Sequence, residues 1–226
     1  SGKTNGSVVD GTASGLVSVK GWMNLTEASG SGETVTICDG ESLISEFPVT
    51  YSFESAITWS WDAGTTNNCN YINGYLDDGT HNGVNGPTIN ISKIPFSQYS
   101  IIVYTATDTG NGAFRPIFIN GISYKGSSEL TSVGYAVAST DNWGRSQTTS
   151  AVYGTNALRV DGLSGDLTIQ GGGKSGNNRG CIAAIQIVNA GVIFDANGQQ
   201  TIDWSENEAP KTSELPELLK YNVELT

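Results

Sequence analysis

A short apolar run in the middle of the chain, residues 99–106, constrains the fold more than any other feature. It reads Tyr-Ser-Ile-Ile-Val-Tyr-Thr-Ala, and β-branched or aromatic residues fill most of its positions. A run of this length and composition is typical of a strand buried on both faces. A glycine-containing segment, 108–112, follows it, and a second apolar run ends at Asn120-Gly121, a dipeptide typical of tight hairpins. The sequence therefore predicts a central strand, a glycine-rich loop and a hairpin.

Many other short segments have strand character, and turn residues separate them. Residues 15–19 predict a first strand. Residues 56–61 alternate so that Ile57, Trp59 and Trp61 share one face, a pattern more typical of core than of surface residues. No segment has a convincing amphipathic helical pattern. These patterns predict an all-β fold, an antiparallel two-sheet β-sandwich of jelly-roll-like architecture.

Length and composition predict one domain with a tail at each end. The chain has 226 residues, and all-β sandwiches of this size commonly form one domain. We expect a flexible N-terminal segment at residues 1–13 and a β-sandwich domain at residues 14–190. A C-terminal extension, residues 191–226, is rich in Glu and is predicted to hold edge strands or the start of a neighbouring module.

The charge balance and the composition limit the partners and the location. With 22 acidic and 11 basic residues, the formal net charge is -11, so neither nucleic acid nor an anionic membrane is an expected partner. Charged residues make up only 15% of the chain, whereas Gly, Ser, Thr and Asn are abundant, as in many extracellular β proteins. No segment approaches the roughly 18 apolar residues of a membrane-spanning helix. We expect a secreted or cell-surface protein whose export signal was removed or lies outside this sequence.

The cysteine pattern does not indicate a metal knuckle or a redox motif. The chain has 3 cysteines, Cys38, Cys69 and Cys181, and no C-x-x-C spacing. Cys181 lies in an apolar run, where it is expected to behave as a small buried hydrophobe. If one disulfide forms, Cys38 and Cys69 are the expected pair.

Two short motifs bear on enzymatic activity. The run from Gly171 to Ser175 resembles part of a phosphate-binding loop, but the first glycine of that motif is replaced by Thr168 and no helix is predicted after it, so a glycine-rich β-turn is the better interpretation. Asp108-Thr109-Gly110 has the form of an aspartic-protease signature. That chemistry needs two carboxylates sharing a proton, and no second copy of the motif exists. The alternative is an Asp-Gly loop that ends the strand.

A loop rich in Asp, Asn and Gly predicts a calcium site. Asp77, Asp78 and Asn82 offer oxygen ligands within a few residues of one another, and Ca²⁺ prefers such ligands. The spacing does not match the helix-loop-helix calcium motif. The alternative is a turn stabilised by its Asx side chains.

Aromatic residues in polar loops predict a glycan-binding site. Sugars stack their apolar faces on aromatic rings, while neighbouring polar side chains bind their hydroxyl groups. The alternative is that these rings fold back and cover the ends of the sandwich. The candidate ligand-binding residues are Tyr71, Tyr75, Asp77, His81, Trp143, Arg145 and Tyr153.

Several segments together resemble a known kind of secreted module. They are Trp22-Met23-Asn24-Leu25, Tyr75-Leu76-Asp77, the run from Ile94 to Tyr99, the run from Leu158 to Leu163, and the run from Arg179 to Val188. Between about residues 15 and 189, the chain resembles a β-sandwich module of large secreted proteins of Verrucomicrobia and Planctomycetes. The resemblance implies an architecture like that of carbohydrate-binding and galactose-binding-like domains, and it implies no catalytic residues.

Three functional hypotheses follow from the sequence. The first is a non-catalytic carbohydrate (glycan)-binding module of a secreted or cell-surface bacterial protein, since no catalytic constellation stands out. The second is a structural or adhesive spacer module of a surface protein or filament, with neighbouring modules as partners. The third is a hydrolase of the aspartic-protease type centred on Asp108.

Overall fold

The structure, a computed structural model, describes only part of the chain. The described residues are 13–38, 43–60, 71–78, 85–94, 96, 98–106, 113–124, 130–131, 134–135, 143–145, 153, 155–189, 193–194 and 200–201. Of these, 36–38, 43–47, 113, 130–131, 134–135, 143–145, 193–194 and 200–201 are described by their backbone alone.

The described residues are organised almost entirely as β-strands. In chain order, the strands are β1 (Ser29–Gly32), β2 (Val35–Cys38), β3 (Leu43–Phe47), β4 (Thr50–Glu54), β5 (Ile57–Ser60), β6 (Gly74–Asp77), β7 (Thr88–Ser92), β8 (Tyr99–Tyr104), β9 (Ala113–Phe114), β10 (Ile117–Ile119), β11 (Ile122–Tyr124), β12 (Leu130–Thr131), β13 (Gly134–Tyr135), β14 (Trp143–Arg145), β15 (Ala157–Leu163), β16 (Leu167–Gly171), β17 (Ala184–Asn189), β18 (Ile193–Phe194) and β19 (Gln200–Thr201). No helix within the described ranges is long and apolar enough to cross a membrane.

Two antiparallel sheets dominate the architecture. The first is 6-stranded in the order β1-β4-β7-β16-β10-β11, and the second is 5-stranded in the order β12-β13-β15-β8-β17. Smaller 2-stranded sheets pair β2 with β3, β5 with β6, β9 with β14, and β18 with β19. The prediction of an all-β, antiparallel two-sheet fold is confirmed.

Side chains from both large sheets form one hydrophobic core. The 6-stranded sheet contributes buried residues of β7, β10 and β16, and the 5-stranded sheet contributes those of β8 and β15. Among the most deeply buried are Ile101, Ile117, Ile119, Leu158, Leu167 and Ile169. Burial of apolar area on this scale is the main force that holds the two sheets together.

The central strand and the hairpin were both predicted correctly. Every residue of β8 is buried, and β8 pairs with β15 on one side and β17 on the other. At the hairpin between β10 and β11, Asn120 and Gly121 have φ values of 49° and 80°, as a tight mirror-image turn requires. The Asn120 side chain also accepts a hydrogen bond from Thr168 N at 2.7 Å, which ties the hairpin to β16.

The predicted first strand is instead a turn. Ser14 and Val19 exchange two backbone hydrogen bonds, of 2.9 and 3.1 Å, and Gly15 between them has a φ of 98°. The indole Nε1 of Trp22 donates to both Ser14 O and Val19 O at 3.1 Å. The prediction was wrong because the apolar residues 16, 17 and 19 pack on the core from a closed turn rather than from an extended strand.

Parts of the predicted domain organisation lie outside the described residues. Of the segment 1–13, only Ala13 is described, and of the extension 191–226, only β18 and β19 are described. The boundaries of the tails therefore stay predictions.

Candidate functional site

Three of the predicted glycan-stacking rings are buried. Tyr71, Tyr75 and Tyr153 are 6%, 1% and 9% exposed. The expectation that these rings lie open to a ligand is therefore wrong, and the alternative, in which they cover the sandwich, is correct. Their polar sequence neighbourhood was misleading, because a ring in a polar loop can still fold back onto a sheet.

Tyr71 belongs to an aromatic cluster with Trp22 and Tyr104. Its ring stacks on Trp22 with centroids 5.2 Å apart and meets Tyr104 edge-on at 4.8 Å. The Tyr104 hydroxyl accepts a hydrogen bond from Leu16 N at 2.8 Å and donates one to Gln186 Oε1. Burial raises the pKa of Tyr104 well above its usual value, so the phenol stays neutral. The cluster packs residues 14–22 against β8 and β17.

The remaining predicted ligand-binding residues are only partly described. His81 and Asn82 lie outside the described residues. Trp143 and Arg145 lie in β14, which pairs with β9, but the structure describes only their backbone. Their roles in binding stay predictions.

Strand β5 carries an exposed aromatic residue that the sequence pattern assigned to the core. Trp59 is 41% exposed and Ile57 is 40% exposed. We call these two side chains the Trp59 strip. Trp59 is the one aromatic side chain among the large exposed apolar residues of the described ranges. The alternation correctly put Ile57 and Trp59 on one face, but period 2 does not say which face is turned to the core.

The strip lies at the edge of a small sheet. In the β5–β6 pair, Trp59 is directly opposite Tyr75, and Ile57 is directly opposite Asp77. Directly opposite residues share a face of a sheet, yet Tyr75 and Asp77 are buried. The face is thus covered along β6 and open along β5, which leaves an apolar surface beside a packed tyrosine.

Asp77, Asp78 and Cys181 form a buried acid–thiol cluster at the end of β6. Their ligand atoms all lie within 4.8 Å of one another. Asp78 accepts hydrogen bonds from Gly180 N at 3.0 Å and from Arg179 Nη1 at 3.4 Å. The Cys181 thiol lies 3.7 Å from Asp77 Oδ1 and donates to it. Sequence reasoning found the two acids but not their partners, which come from residues 179–181.

Burial and mutual repulsion set the protonation of this cluster. Burial raises the pKa of Asp78 from 3.8 to about 6, and the hydrogen bond and negative charge of Asp77 act in the same direction. Gly180 N and Arg179 oppose the rise by stabilising the carboxylate. Burial, together with the charges of Asp77 and Asp78, raises the pKa of Cys181 well above its usual value. The thiol is therefore neutral and unreactive, as expected for a small buried hydrophobe.

The described donor set does not suit calcium. Both oxygens of Asp78 accept hydrogen bonds from the protein, and the third group is a thiol, whereas Ca²⁺ requires 6 to about 8 oxygen ligands. Asp77 and Asp78 do lie together, but Asn82 falls outside the described residues. Among the described residues, the cluster therefore acts structurally: its hydrogen bonds connect β6 and Asp78 to residues 179–181.

Next to this cluster, glycines allow two backbone segments, at residues 171–172 and at residue 180, to approach each other closely. A Cβ on Gly180 would lie 1.8 Å from Gly172 O, and a Cβ on Gly171 would lie 1.8 Å from Gly180 O. Between these close approaches, Ser175 and Asn178 exchange backbone hydrogen bonds of 3.1 and 3.0 Å around a tight turn. The helix that a phosphate-binding loop requires does not follow this run: Gly171 ends β16, and the tight turn lies just after the run, between Ser175 and Asn178.

A second polar cluster lies on the 5-stranded sheet. Asp161 Oδ1 accepts hydrogen bonds from Arg159 Nε at 2.7 Å and from Ser100 Oγ at 2.5 Å. Burial raises the pKa of the nearby Tyr153 to about 12. With an ion-paired acid and a neutral phenol, these groups stabilise the β8–β15 pair and hold no activated nucleophile.

The proposed protease acid and the expected disulfide stay untested. Asp108 and Cys69 lie outside the described residues, and Cys38 is described by its backbone alone. When the whole chain was compared with protein-family models, curated proteins and solved structures, no match was found.

Proposed function

We propose that this chain is a non-catalytic carbohydrate-binding module of a secreted or cell-surface protein and that glycans bind at the Trp59 strip. The observation that carries the proposal is the exposure of Trp59, 41%, beside Ile57, 40%, on one face of β5. An indole ring open to solvent is the surface on which the apolar face of a sugar stacks. Large apolar side chains grouped on a surface often mark a binding site.

The rigidity of the support favours the same function. Tyr75, directly opposite Trp59, is 1% exposed, and β6 is fixed by reciprocal backbone hydrogen bonds of 2.8 and 3.1 Å between Leu76 and Ile182. A platform on a packed strand loses little conformational entropy when a ligand binds. The sequence resemblance to sandwich modules of large secreted proteins and the export-type composition support the same proposal.

Calorimetric titration with a panel of neutral and charged oligosaccharides tests this function. We expect saturable binding, accompanied by a change in tryptophan fluorescence, that Trp59→Ala weakens at least about tenfold, which is about 1.4 kcal/mol. Ile122→Ala is the matched control, because Ile122 is exposed to 56% on β11, at the edge of the 6-stranded sheet, whereas β5 belongs to a separate 2-stranded sheet. No binding to any member of the panel, with or without Ca²⁺, would contradict the proposal.

A structural or adhesive spacer is the second candidate, and one observation favours it. Among the described strands, β5 pairs only with β6, and two exposed apolar side chains lie on one of its faces. Open edges with apolar residues are suited to pairing with another chain. Sedimentation analysis distinguishes the two candidates: the spacer predicts concentration-dependent association that Trp59→Ala abolishes, whereas the glycan module predicts a monomer.

A further inference from the structure

We infer that the Trp59 strip selects uncharged glycans over acidic and basic ones. This inference rests on the proposed function and adds the chemical class of the ligand. It is carried by the charges around the strip and by the burial of the nearest acids.

No cation is available from the segment that builds the strip. Residues 21–92, which include β1 to β7, contain no Lys or Arg. Acidic sugars are bound chiefly through Arg or Lys, because paired N–H groups match the carboxylate or sulfate geometry. A uronic acid or sulfated sugar on Trp59 would therefore lack a partner from this segment.

The described cation at the end of β6 is already bonded to an acid. Arg179 Nη1 lies 3.4 Å from Asp78 Oδ1, and the side chains are 14% and 0% exposed. Redirecting Arg179 to a ligand would leave Asp78 as a buried acid without this bond, which is unfavourable. The net charge of -11 adds a long-range repulsion of polyanions at low salt.

The acids near the strip are equally unsuited to binding a basic sugar. Asp77, directly opposite Ile57, is 8% exposed, and Asp78 is 1% exposed. Asp77 Oδ1 accepts a hydrogen bond from Cys181, and the two Asp78 oxygens accept from Arg179 and Gly180. The strip therefore offers an apolar ring beside acids that are buried and already bonded, which suits a neutral sugar.

The test compares probes of matched length. Neutral hexasaccharides of glucose, xylose and mannose, hexagalacturonate, and a fully deacetylated chitosan hexamer are titrated into the protein by calorimetry at low and physiological salt. We expect at least one neutral probe to bind about tenfold or more tightly than either charged probe, with little dependence on salt.

An added cation sharpens the test. Ile57→Lys places an ammonium group next to Trp59, and we expect this variant to gain salt-sensitive binding of hexagalacturonate. Ile57→Thr is the control, because it shortens the same side chain without adding charge. Binding of hexagalacturonate or the chitosan hexamer to the wild type at least as tightly as the neutral probes, and lost in Trp59→Ala, would overturn the inference while leaving the proposed function intact. If none of the probes binds, both the inference and the proposed function are contradicted.

Discussion

Two neighbouring regions of β5 and β6 reverse the usual distribution of apolar and charged residues. Ile57 and Asp77 are directly opposite each other, yet Ile57 is 40% exposed and Asp77 is 8% exposed. Acids are rarely buried unless they are paired, and the acid–thiol cluster supplies the required partners. The comparison shows that the buried acids are bonded within the cluster, whereas the apolar side chains of β5 are exposed.

The largest expected effect is at Tyr75, the buried counterpart of Trp59. Tyr75→Ala removes a fully packed ring, so we expect the free energy of unfolding to fall by about 4 kcal/mol. Urea denaturation followed by circular dichroism measures this value. A loss of less than about 1 kcal/mol would contradict the assignment of Tyr75 to the core.

Gly180→Ala is expected to have the next largest effect. The new Cβ would lie 1.8 Å from Gly172 O, so the backbone has to shift and the Gly180 N to Asp78 hydrogen bond is strained. We expect a loss of about 3 kcal/mol in the same denaturation experiment. Gly176→Ala is the control: nothing lies within 4 Å of its Cβ, and only the φ of 60° opposes the substitution, at a cost of about 1 kcal/mol. Equal losses in the two variants would show that the close approach does not matter.

The pH dependence of stability tests the protonation of Asp78. Because folding raises the pKa of Asp78 from 3.8 to about 6, the folded state binds more protons than the unfolded state between these values. The free energy of unfolding contributed by this group therefore falls as pH rises from about 4 to about 6. We expect Asp78→Asn to remove this fall, because the amide does not titrate.

Chemical denaturation at a series of pH values measures this difference. Glu54→Gln is the control, because Glu54 is exposed at the end of β4 and is not part of the cluster. A wild-type profile parallel to that of Asp78→Asn would mean that Asp78 is ionised throughout this pH range, and the buried acids would then resemble ordinary surface carboxylates.

The smallest expected effect on stability is at Trp59 itself. Because the ring is already 41% exposed, we expect Trp59→Ala to change the free energy of unfolding by less than about 1 kcal/mol while it weakens glycan binding. Denaturation and titration of the same sample separate the two effects. A loss as large as that of Tyr75→Ala would make Trp59 a core residue and remove the contrast between the two strands.

Local patterns predicted the features that a few consecutive residues specify. The apolar run of β8 and the Asn120-Gly121 turn were predicted correctly, because burial on both faces and a positive φ leave direct marks on composition. The hydrogen bond from Gly180 N to Asp78 has no local sequence pattern, since the two residues are 102 positions apart. For the same reason, the burial of Tyr71 against Trp22 was not predictable from its polar neighbours.

The sequence by itself determined where strands form, where the chain turns, and which side chains share a face. The tertiary structure decided which face is buried and which strands pair. Strands β15 and β16 are joined by a short turn, yet β15 pairs with β8 and β13 while β16 pairs with β7 and β10, so the chain crosses from one sheet to the other there. Likewise, Trp59 and Tyr75 lie on the same face, but Tyr75 is 1% exposed and Trp59 is 41% exposed. Alternation is a property of the backbone, whereas burial depends on what distant segments bring into contact.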